Sequence, residues 1–322
     1  ILRQGGNAVD AAVATAACLT VVEPTSNGIG GDAFALVWLK EKLYGLNSSG
    51  PAPTALTPEL LEQQGLRQMP VDGWLPVTVP GAPAAWAELV GRFGRLKLTE
   101  VLAPAIEYAE AGFPVSPIIS RQWAAGYKRF SVLKGSEFGC WLETFAPAGR
   151  APLAGEIWRS PAHAHTLRRL ANSDCQDFYQ GEIARRIDAF SRQYGGCLRA
   201  SDLAGYRPEW VEPISVNYRG HEVWELPPNG HGLVTLLALN ILQGMQFVRK
   251  ESADTYHLHI EAIKLAFADG LKYIADPRRS NVPVTELLAE TYAAERRQMI
   301  GKAALQPTAG EPVKGGTVYL AT

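Results

Sequence analysis

Two hydrophobic periods along the chain predict a mixture of helices and strands. Apolar residues at helical spacing predict helices over residues 3–22, 58–64, 83–93, 99–111, 116 onward, 162–171, 181–194, 233–246, 253–274 and 287–300. Alternating apolar residues predict strands over residues 33–39, 42–46 and 316–322, and a hairpin of residues 216–218 and 222–226 about Arg219-Gly220. Thr99 is expected to cap the helix that follows it, whereas residues 126–161 show no clear period. Strands near both ends with helices between them indicate a mixed α/β protein.

The composition is that of an ordinary globular protein, and it argues against a nucleic-acid-binding or membrane-spanning protein. The 322 residues are 47% hydrophobic and 20% charged, enough for about two domains or one large α/β unit. The net charge of -1 argues against a nucleic-acid partner. The longest apolar run, residues 11–22, is shorter than the roughly 18 to 20 residues that a membrane span needs. Because the chain opens inside one periodic pattern and stops inside another, we expect it to be a piece of a longer polypeptide.

A glycine-rich segment, residues 25–33, is the first candidate for chemistry. Such a turn can bring backbone N–H groups to a phosphate, but a nucleotide-binding loop follows a strand and opens a helix. This segment follows a predicted helix and opens a predicted strand. A structural turn, or a loop bordering an active cleft, therefore fits the sequence better than a nucleotide site.

The histidines and acids give little support for a metal site. His163 and His165 stand two apart on a predicted helix and should point in different directions. Glu261 and Asp269 share a long amphipathic helix with His257, and the pattern predicts a solvated face for them. No metal site is predicted.

Thr317 is the candidate nucleophile. A threonine hydroxyl is weakly nucleophilic and needs a base beside it. If the chain is cut before the threonine, its own α-amine, with a pKa near 8, can serve as that base. Gly316 supplies a small residue before the threonine, and the predicted strand after it would hold it still. Taken alone, a Gly-Thr pair at the start of a strand is common and more often has no catalytic role.

Sequence blocks spread along the chain resemble, in order, those of the γ-glutamyltranspeptidase family. They are residues 5–14 (GGNAVDAAVA), 22–24 (VEP), 26–31 (SNGIGG), 79–81 (VPG), 178–181 (FYQG), 202–203 (DL), 218–220 (YRG), 227–228 (PP), 261–269 (EAIKLAFAD) and 276–277 (DP). The first block is long and specific, and together the blocks span nearly the whole length.

This resemblance implies the helix-rich part of an N-terminal-nucleophile hydrolase with a four-layer αββα sandwich. In the family a precursor cuts itself into a large and a small subunit, and a threonine begins the small one. The matching threonine is Thr317, so the resemblance places the cut at Gly316–Thr317, with residues 1–316 in the large subunit and residues 317–322 opening the small one. The partners implied are a γ-glutamyl or acyl-amide substrate and the chain's own small subunit, in a heterodimer or a larger assembly. The chemistry requires no metal or organic cofactor.

The implied activity is that of a self-processing threonine amidase or acyltransferase. It would hydrolyse or transfer the γ-glutamyl group of glutathione-like amides through an acyl-enzyme on Thr317. The family pattern has an arginine that grips the α-carboxylate of the donor, but Leu56 stands at that place, and leucine cannot form such a contact. Arg67, from the irregular segment nearby, is a weak substitute candidate for substrate binding.

Alternatives remain open at this point. Because Leu56 stands at the place of the arginine, the chain could instead belong to an acylase of the same fold that acts on a glutaryl-type or β-lactam side chain. Val318 stands where the family pattern has a second threonine, so a non-catalytic relative that does not cut itself is a further reading. A nucleotide-binding α/β protein is the most distant alternative.

Overall fold

A computed structural model describes residues 1–313 of the chain, and helices dominate it. The helices are α1 (Ala8–Val22), α2 (Pro58–Gln63), α3 (Ala82–Phe93), α4 (Leu98–Ala111), α5 (Pro117–Phe130), α6 (Gly139–Phe145), α7 (Pro161–Asn172), α8 (Gln176–Gln180), α9 (Glu182–Gln193), α10 (Ala200–Gly205), α11 (Gly232–Gln243), α12 (Ala253–Tyr273), α13 (Val284–Leu287) and α14 (Glu290–Gln298). The strands are β1 (Ala33–Leu39), β2 (Lys42–Ser48), β3 (Phe113–Pro114), β4 (Ile157–Trp158), β5 (Glu209–Val211), β6 (Ile214–Tyr218) and β7 (His221–Glu225). Within residues 1–313, every helix lacks the length or the apolar character that crossing a bilayer requires.

The chain forms two compact units. The first comprises Ile1–Phe34 and Ser48–Glu209. In it α1 packs against α3 and α4, and α4 packs against α7. Alanines and aliphatic residues from these helices bring them close together and fill a common core, which includes Val13, Ala17, Leu102, Ala105, Leu167 and Leu170.

The second unit comprises Ala35–Asn47 and the chain from Trp210 onward. Here α11 packs against α12 and α14 on one hand and against β6 and β7 on the other. Since α11 touches so many elements, it is apolar on most sides, and its buried residues include Leu233, Val234, Leu237 and Ile241.

The strands form small sheets. β1, β2 and β5 lie side by side in that order, and β3 pairs with β4. β6 and β7 are antiparallel, with Tyr218 opposite His221. Arg219 (φ 53°) and Gly220 (φ 84°) are both left-handed, which is the two-residue turn that a twisted hairpin favours. The hairpin predicted from the sequence is therefore confirmed.

Local chemistry explains where α1 begins. The predicted helix over residues 3–22 starts only at Ala8, because Gly5 is left-handed (φ 93°) and Asn7 caps the helix. The Asn7 side chain accepts the N–H groups of Val9 at 2.9 Å and Asp10 at 3.1 Å. Asp10 Oδ2 accepts the Asn7 N–H at 2.8 Å, which completes a capping box.

Three expectations for secondary structure were wrong. Thr99 lies inside the first turn of α4, which already begins at Leu98. The single helix predicted over residues 287–300 is α14, which begins only at Glu290; Leu287 ends the preceding helix α13, and Ala289 between them is extended. Residues 126–161, which show no clear hydrophobic period, contain the end of α5, then α6 and β4. Their aromatic rings pack against one another, as in the stacked pair Phe130–Trp141 with centroids 4.6 Å apart, and such contacts produce no period in the sequence.

Candidate functional site

The residues predicted to bear the chemistry are only partly within the described chain. Thr317, Gly316 and the predicted strand over residues 316–322 lie outside the described residues. Arg67 is exposed in the loop that follows α2. Leu56 is half-buried, and its N–H donates to the Pro53 carbonyl at 2.9 Å. The described chain that leads toward Thr317 is residues 301–313, which we call the approach segment.

The approach segment contains neither helix nor strand, yet side chains from α12 and α14 bind its backbone. At its start, His257 Nε2 lies 2.8 Å from the Gly301 carbonyl oxygen and must carry the proton, since a carbonyl only accepts. Arg296 donates to the Thr308 carbonyl at 2.8 Å. The Arg296 bond is charge-assisted, and both bonds satisfy carbonyl groups that regular secondary structure would otherwise pair.

Leu305 is bound through both of its backbone polar groups. Its N–H donates to Glu261 Oε2 at 3.0 Å, and its carbonyl accepts from Lys264 Nζ at 2.6 Å. Lys264 Nζ also donates to Glu261 Oε1 at 2.8 Å, and this bond lowers the pKa of the Glu261 carboxyl. Glu261 is 1% exposed, so an acid and a lysine one turn apart on α12 hold one residue of the approach segment.

Gly310 is bound in the same double manner. Its N–H donates to Asp269 Oδ1 at 2.8 Å, and its carbonyl accepts from the Tyr273 hydroxyl at 2.6 Å. A Cβ at Gly310 would overlap the hydroxyl of Tyr292, so the backbone approaches that ring more closely than a side chain permits.

A buried ion pair lies beneath this contact. Arg296 Nε is 3.1 Å from Asp269 Oδ2, and their side chains are 4% and 0% exposed. The two atoms are not aligned as a hydrogen bond, so charge attraction holds the pair. Burial raises the pKa of Asp269, while the Gly310 N–H and Arg296 oppose the rise.

The expectation of a solvated face for Glu261 and Asp269 was therefore wrong. Both carboxylates are buried. The hydrophobic period of α12 shows that the helix is amphipathic, but it cannot show that a later segment of chain covers the polar side. The usable signal was an acid, a lysine and a second acid at positions 261, 264 and 269, which helical geometry places on one side of α12.

The glycine-rich loop, residues 25–33, is hydrogen-bonded to the start of α3. The Gly31 carbonyl accepts the N–H groups of Gly81 at 3.0 Å and Ala82 at 2.9 Å, where α3 begins. Within the loop, the Gly31 N–H donates to the Gly28 carbonyl at 3.2 Å. These contacts are those of a structural turn; the alternative of a loop bordering an active cleft stays a prediction.

Three of the family-like sequence blocks meet at this turn. Ser48 Oγ donates to the Gly81 carbonyl at 2.8 Å and lies 3.0 Å from the Tyr206 hydroxyl. The Tyr179 hydroxyl donates to the Pro80 carbonyl at 2.8 Å. The blocks that are far apart in sequence thus share one tightly packed junction, which explains why small residues and tyrosines stand there.

The histidine pair on α7 has the geometry that its spacing predicts. His163 is half-buried with Nε2 3.3 Å from Thr20 Oγ1, and burial lowers its pKa, whereas His165 is exposed. Within residues 1–313, no three His, Cys, Asp or Glu side chains lie close enough to share a metal ion.

The comparison with protein families decides the classification. The sequence model of the family described as gamma-glutamyltranspeptidase matches residues 1–322. The chain belongs to the γ-glutamyltranspeptidase family. The resemblance seen in the sequence blocks is thereby confirmed.

One related sequence and two crystal structures show how similar the chain is to individual proteins. The chain is 36% identical to the glutathione hydrolase-like YwrD proenzyme of Bacillus subtilis (strain 168), over 100% of this chain and 61% of that protein. The crystal structure of cephalosporin acylase from Bacillus halodurans superposes with a TM-score of 0.94 at 56% identity, over 97% of this chain and 59% of that one. The crystal structure of Helicobacter pylori gamma-glutamyltranspeptidase superposes with a TM-score of 0.89 at 28% identity, over 98% of this chain and 93% of that one.

These similarities confirm the predicted fold class, the helix-rich part of an N-terminal-nucleophile hydrolase. The chain spans about three fifths of the Bacillus subtilis proenzyme and of the cephalosporin acylase. It spans nearly all of the matched Helicobacter pylori chain. The matched Helicobacter pylori chain is thus similar in length to this one, whereas the Bacillus subtilis proenzyme and the cephalosporin acylase chain are longer.

Proposed function

We propose that this chain is the N-terminal part of a self-cleaving precursor that matures into a threonine amidase. The cut would fall between Gly316 and Thr317, with residues 1–316 forming the large subunit and Thr317 opening the small one. The observation that carries this proposal is the family match over residues 1–322, a range that contains Gly316 and Thr317. The coverages of the relatives support it, because this chain covers 93% of the matched Helicobacter pylori chain but only 61% of the Bacillus subtilis proenzyme.

The proposed chemistry needs only groups on Thr317. After the cut, its free α-amine, with a pKa near 8, takes the proton of its own Oγ. The hydroxyl oxygen then attacks the amide carbonyl of the substrate, and the amine leaves with a proton. Water, or an acceptor amine, attacks the resulting ester and regenerates the threonine. Hydrolysis and acyl transfer differ only in this last step.

The identity of the acyl donor rests on different evidence. Leu56 stands where the family pattern has the arginine that grips the α-carboxylate of a γ-glutamyl donor, which favours acylase activity on a glutaryl-type or β-lactam side chain. The 56% identity to a cephalosporin acylase supports the same choice. A γ-glutamyl donor remains the alternative, in which Arg67 would have to bind the α-carboxylate.

The partner proposed for this chain is its own C-terminal remainder. On β1 the alternate residues Phe34, Leu36 and Trp38 are 47%, 40% and 66% exposed, which places three large apolar side chains on one face of the strand. Contiguous apolar patches of this kind mark interaction surfaces. We propose that the small subunit covers this face in the mature heterodimer.

The test uses the purified full-length gene product. N-terminal sequencing of its smaller fragment should give Thr-Val-Tyr-Leu, the sequence that begins at Thr317. The mature protein should then release amines from glutaryl amides faster than from γ-glutamyl amides. A Thr317→Ala precursor should show neither activity, whereas equal activity of the wild-type and Thr317→Ala proteins would remove Thr317 from the mechanism.

Arg67→Ala separates the two donor classes. If Arg67 grips a γ-glutamyl carboxylate, the variant raises KM for γ-glutamyl donors and leaves glutaryl donors unaffected. If the acylase assignment is correct, both donor classes keep their wild-type KM values.

A further inference from the structure

The structure assigns a positioning function to Glu261, Lys264, Asp269 and Arg296, which we call the anchor residues. We propose that they hold the approach segment on a fixed path and thereby present the Gly316–Thr317 bond for self-cleavage. This inference rests on the proposed function, since it concerns the same bond. It goes beyond it because none of these side chains takes part in the chemistry of Thr317.

The approach segment is bound by several closely spaced contacts. An irregular segment loses about 1–2 kcal/mol of backbone entropy for each residue that it orders, so it stays in place only where bonds compensate. The anchor residues supply bonds to three residues of the approach segment, Leu305, Thr308 and Gly310. For two of these, Leu305 and Gly310, both the N–H and the carbonyl are bound.

Two of the anchor residues, Asp269 and Arg296, form a buried ion pair. Burying an ion pair costs desolvation energy that an apolar pair of the same size would avoid. Asp269 and Arg296 are almost completely buried, so they lose hydration energy that apolar side chains at the same positions would not lose. Apolar side chains, however, could not accept the Gly310 N–H or donate to the Thr308 carbonyl. The two charged side chains therefore fix the backbone of the approach segment, which apolar side chains could not do.

The anchored residues lie close to Thr317 along the chain. Six residues separate Gly310, the last residue that the anchor residues bind, from Thr317, a span of at most about 25 Å when fully extended. A tether of residues 311–316 therefore joins the anchored backbone of Gly310 to the bond to be cut. Misplacement of reacting atoms by about 1 Å can slow a reaction about 100-fold, so a loose tether should slow self-cleavage.

The first test compares two buried carboxylates in the full-length precursor. Asp269→Asn keeps the shape of the anchor and removes its charge. Asp10→Asn is the matched control, because Asp10 is equally buried and accepts backbone N–H groups, but of Asn7 and Arg95 instead of the approach segment. Each variant is assayed at the same interval below its own Tm, so that a difference in stability does not enter the comparison. We expect self-cleavage of Asp269→Asn to be about tenfold slower or more, and that of Asp10→Asn to match the wild type.

A second test changes no charge. Gly310→Ala pushes the backbone away from the Tyr292 hydroxyl, whereas Gly301→Ala, in the same segment, meets no atom within 4 Å. We expect slow cleavage for Gly310→Ala and the wild-type rate for Gly301→Ala. Wild-type rates for both Asp269→Asn and Gly310→Ala would overturn the inference.

Amide exchange in the uncut Thr317→Ala precursor supplies a readout that does not depend on cleavage. The N–H groups of Leu305 and Gly310 should exchange slowly there, and Asp269→Ala, which removes the acceptor, should speed the exchange of the Gly310 N–H. Fast exchange of both amides in the parent precursor would also overturn the inference. If the wild-type protein never cleaves, the proposed function fails, and the role in cleavage fails with it. If the wild type cleaves and the anchor variants cleave equally fast, the anchor alone is wrong.

Discussion

Two buried aspartates, one in each unit, fix irregular segments of chain by the same means but to different ends. Asp10 on α1 accepts the N–H groups of Asn7 and Arg95, and so joins the start of α1 to the loop between α3 and α4. Asp269 on α12 accepts the N–H of Gly310 and faces the buried Arg296. Both are 0% exposed. The difference is that Asp10 closes a loop inside the fold, whereas Asp269 holds the chain that runs toward Thr317.

The comparison also shows what a charged partner changes. In the contacts described above, Asp10 accepts neutral backbone donors, and removing it leaves N–H groups without an acceptor. Removing Asp269 leaves an arginine charge in the interior. Removing Asp269 should therefore lower the free energy of unfolding more than removing Asp10. It should also slow self-cleavage, which removing Asp10 should not affect.

The largest expected effect is therefore on stability, from Asp269→Ala in the uncut Thr317→Ala precursor. Breaking a buried ion pair by removing one partner costs about 3–5 kcal/mol. Asp10→Ala should cost about 1–3 kcal/mol, the penalty of buried donors left unpaired. Urea unfolding of both variants measures the difference, and an equal or reversed order would contradict the distinction drawn between them.

A double-mutant cycle sharpens the same point. Because Asp269 and Arg296 are in contact, Asp269→Ala and Arg296→Ala should be non-additive by about 0.5–3 kcal/mol, with the double variant less destabilised than the sum. Asn7→Ala combined with Arg296→Ala serves as the control pair and should be additive. Additivity within the Asp269–Arg296 pair would mean that the two charges do not stabilise each other.

Loss of the cap on α1 should have a smaller and purely structural effect. Asn7→Ala removes the acceptor of two N–H groups and should lower the free energy of unfolding by about 1 kcal/mol. Its rate of self-cleavage should equal that of the wild type. A slower rate at this modest loss of stability would show that cleavage follows general stability and not the approach segment.

The smallest expected effect is a dependence on pH. The pKa of Glu261 is lowered, mainly by its bond to Lys264 and then by the Leu305 N–H, so its stabilising contribution is present above the ordinary value of about 4.3. It is lost as the pH falls through the lowered pKa. The Tm difference between wild type and Glu261→Gln should therefore be constant above about pH 5 and shrink under more acidic conditions. A difference that grows on acidification would contradict the assigned direction.

The sequence was informative about the fold where the determining contacts are local. The Asn7–Asp10 capping box is a three-residue pattern, and the Arg219-Gly220 hairpin follows from a two-residue turn between alternating strands. The break between α13 and α14, and the aromatic packing that includes Trp141, depend on contacts between distant residues. A hydrophobic period carries no information about such contacts.

The same division applies to the candidate site. The family blocks drew attention to residues 261–269, but nothing local indicates that Gly310, 41 residues away, lies over Asp269. The burial of Glu261 and Asp269 could thus not be predicted from α12 alone. Thr317 could be proposed from its neighbours and the family pattern, and it remains a prediction.

The most direct test of the central claim is the intact mass of the full-length gene product, wild type beside Thr317→Ala. We predict two fragments for the wild type, whose masses place the junction between Gly316 and Thr317, and one uncut chain for the variant. A single uncut chain in both samples, or fragments whose junction lies elsewhere and persists in Thr317→Ala, would contradict the claim.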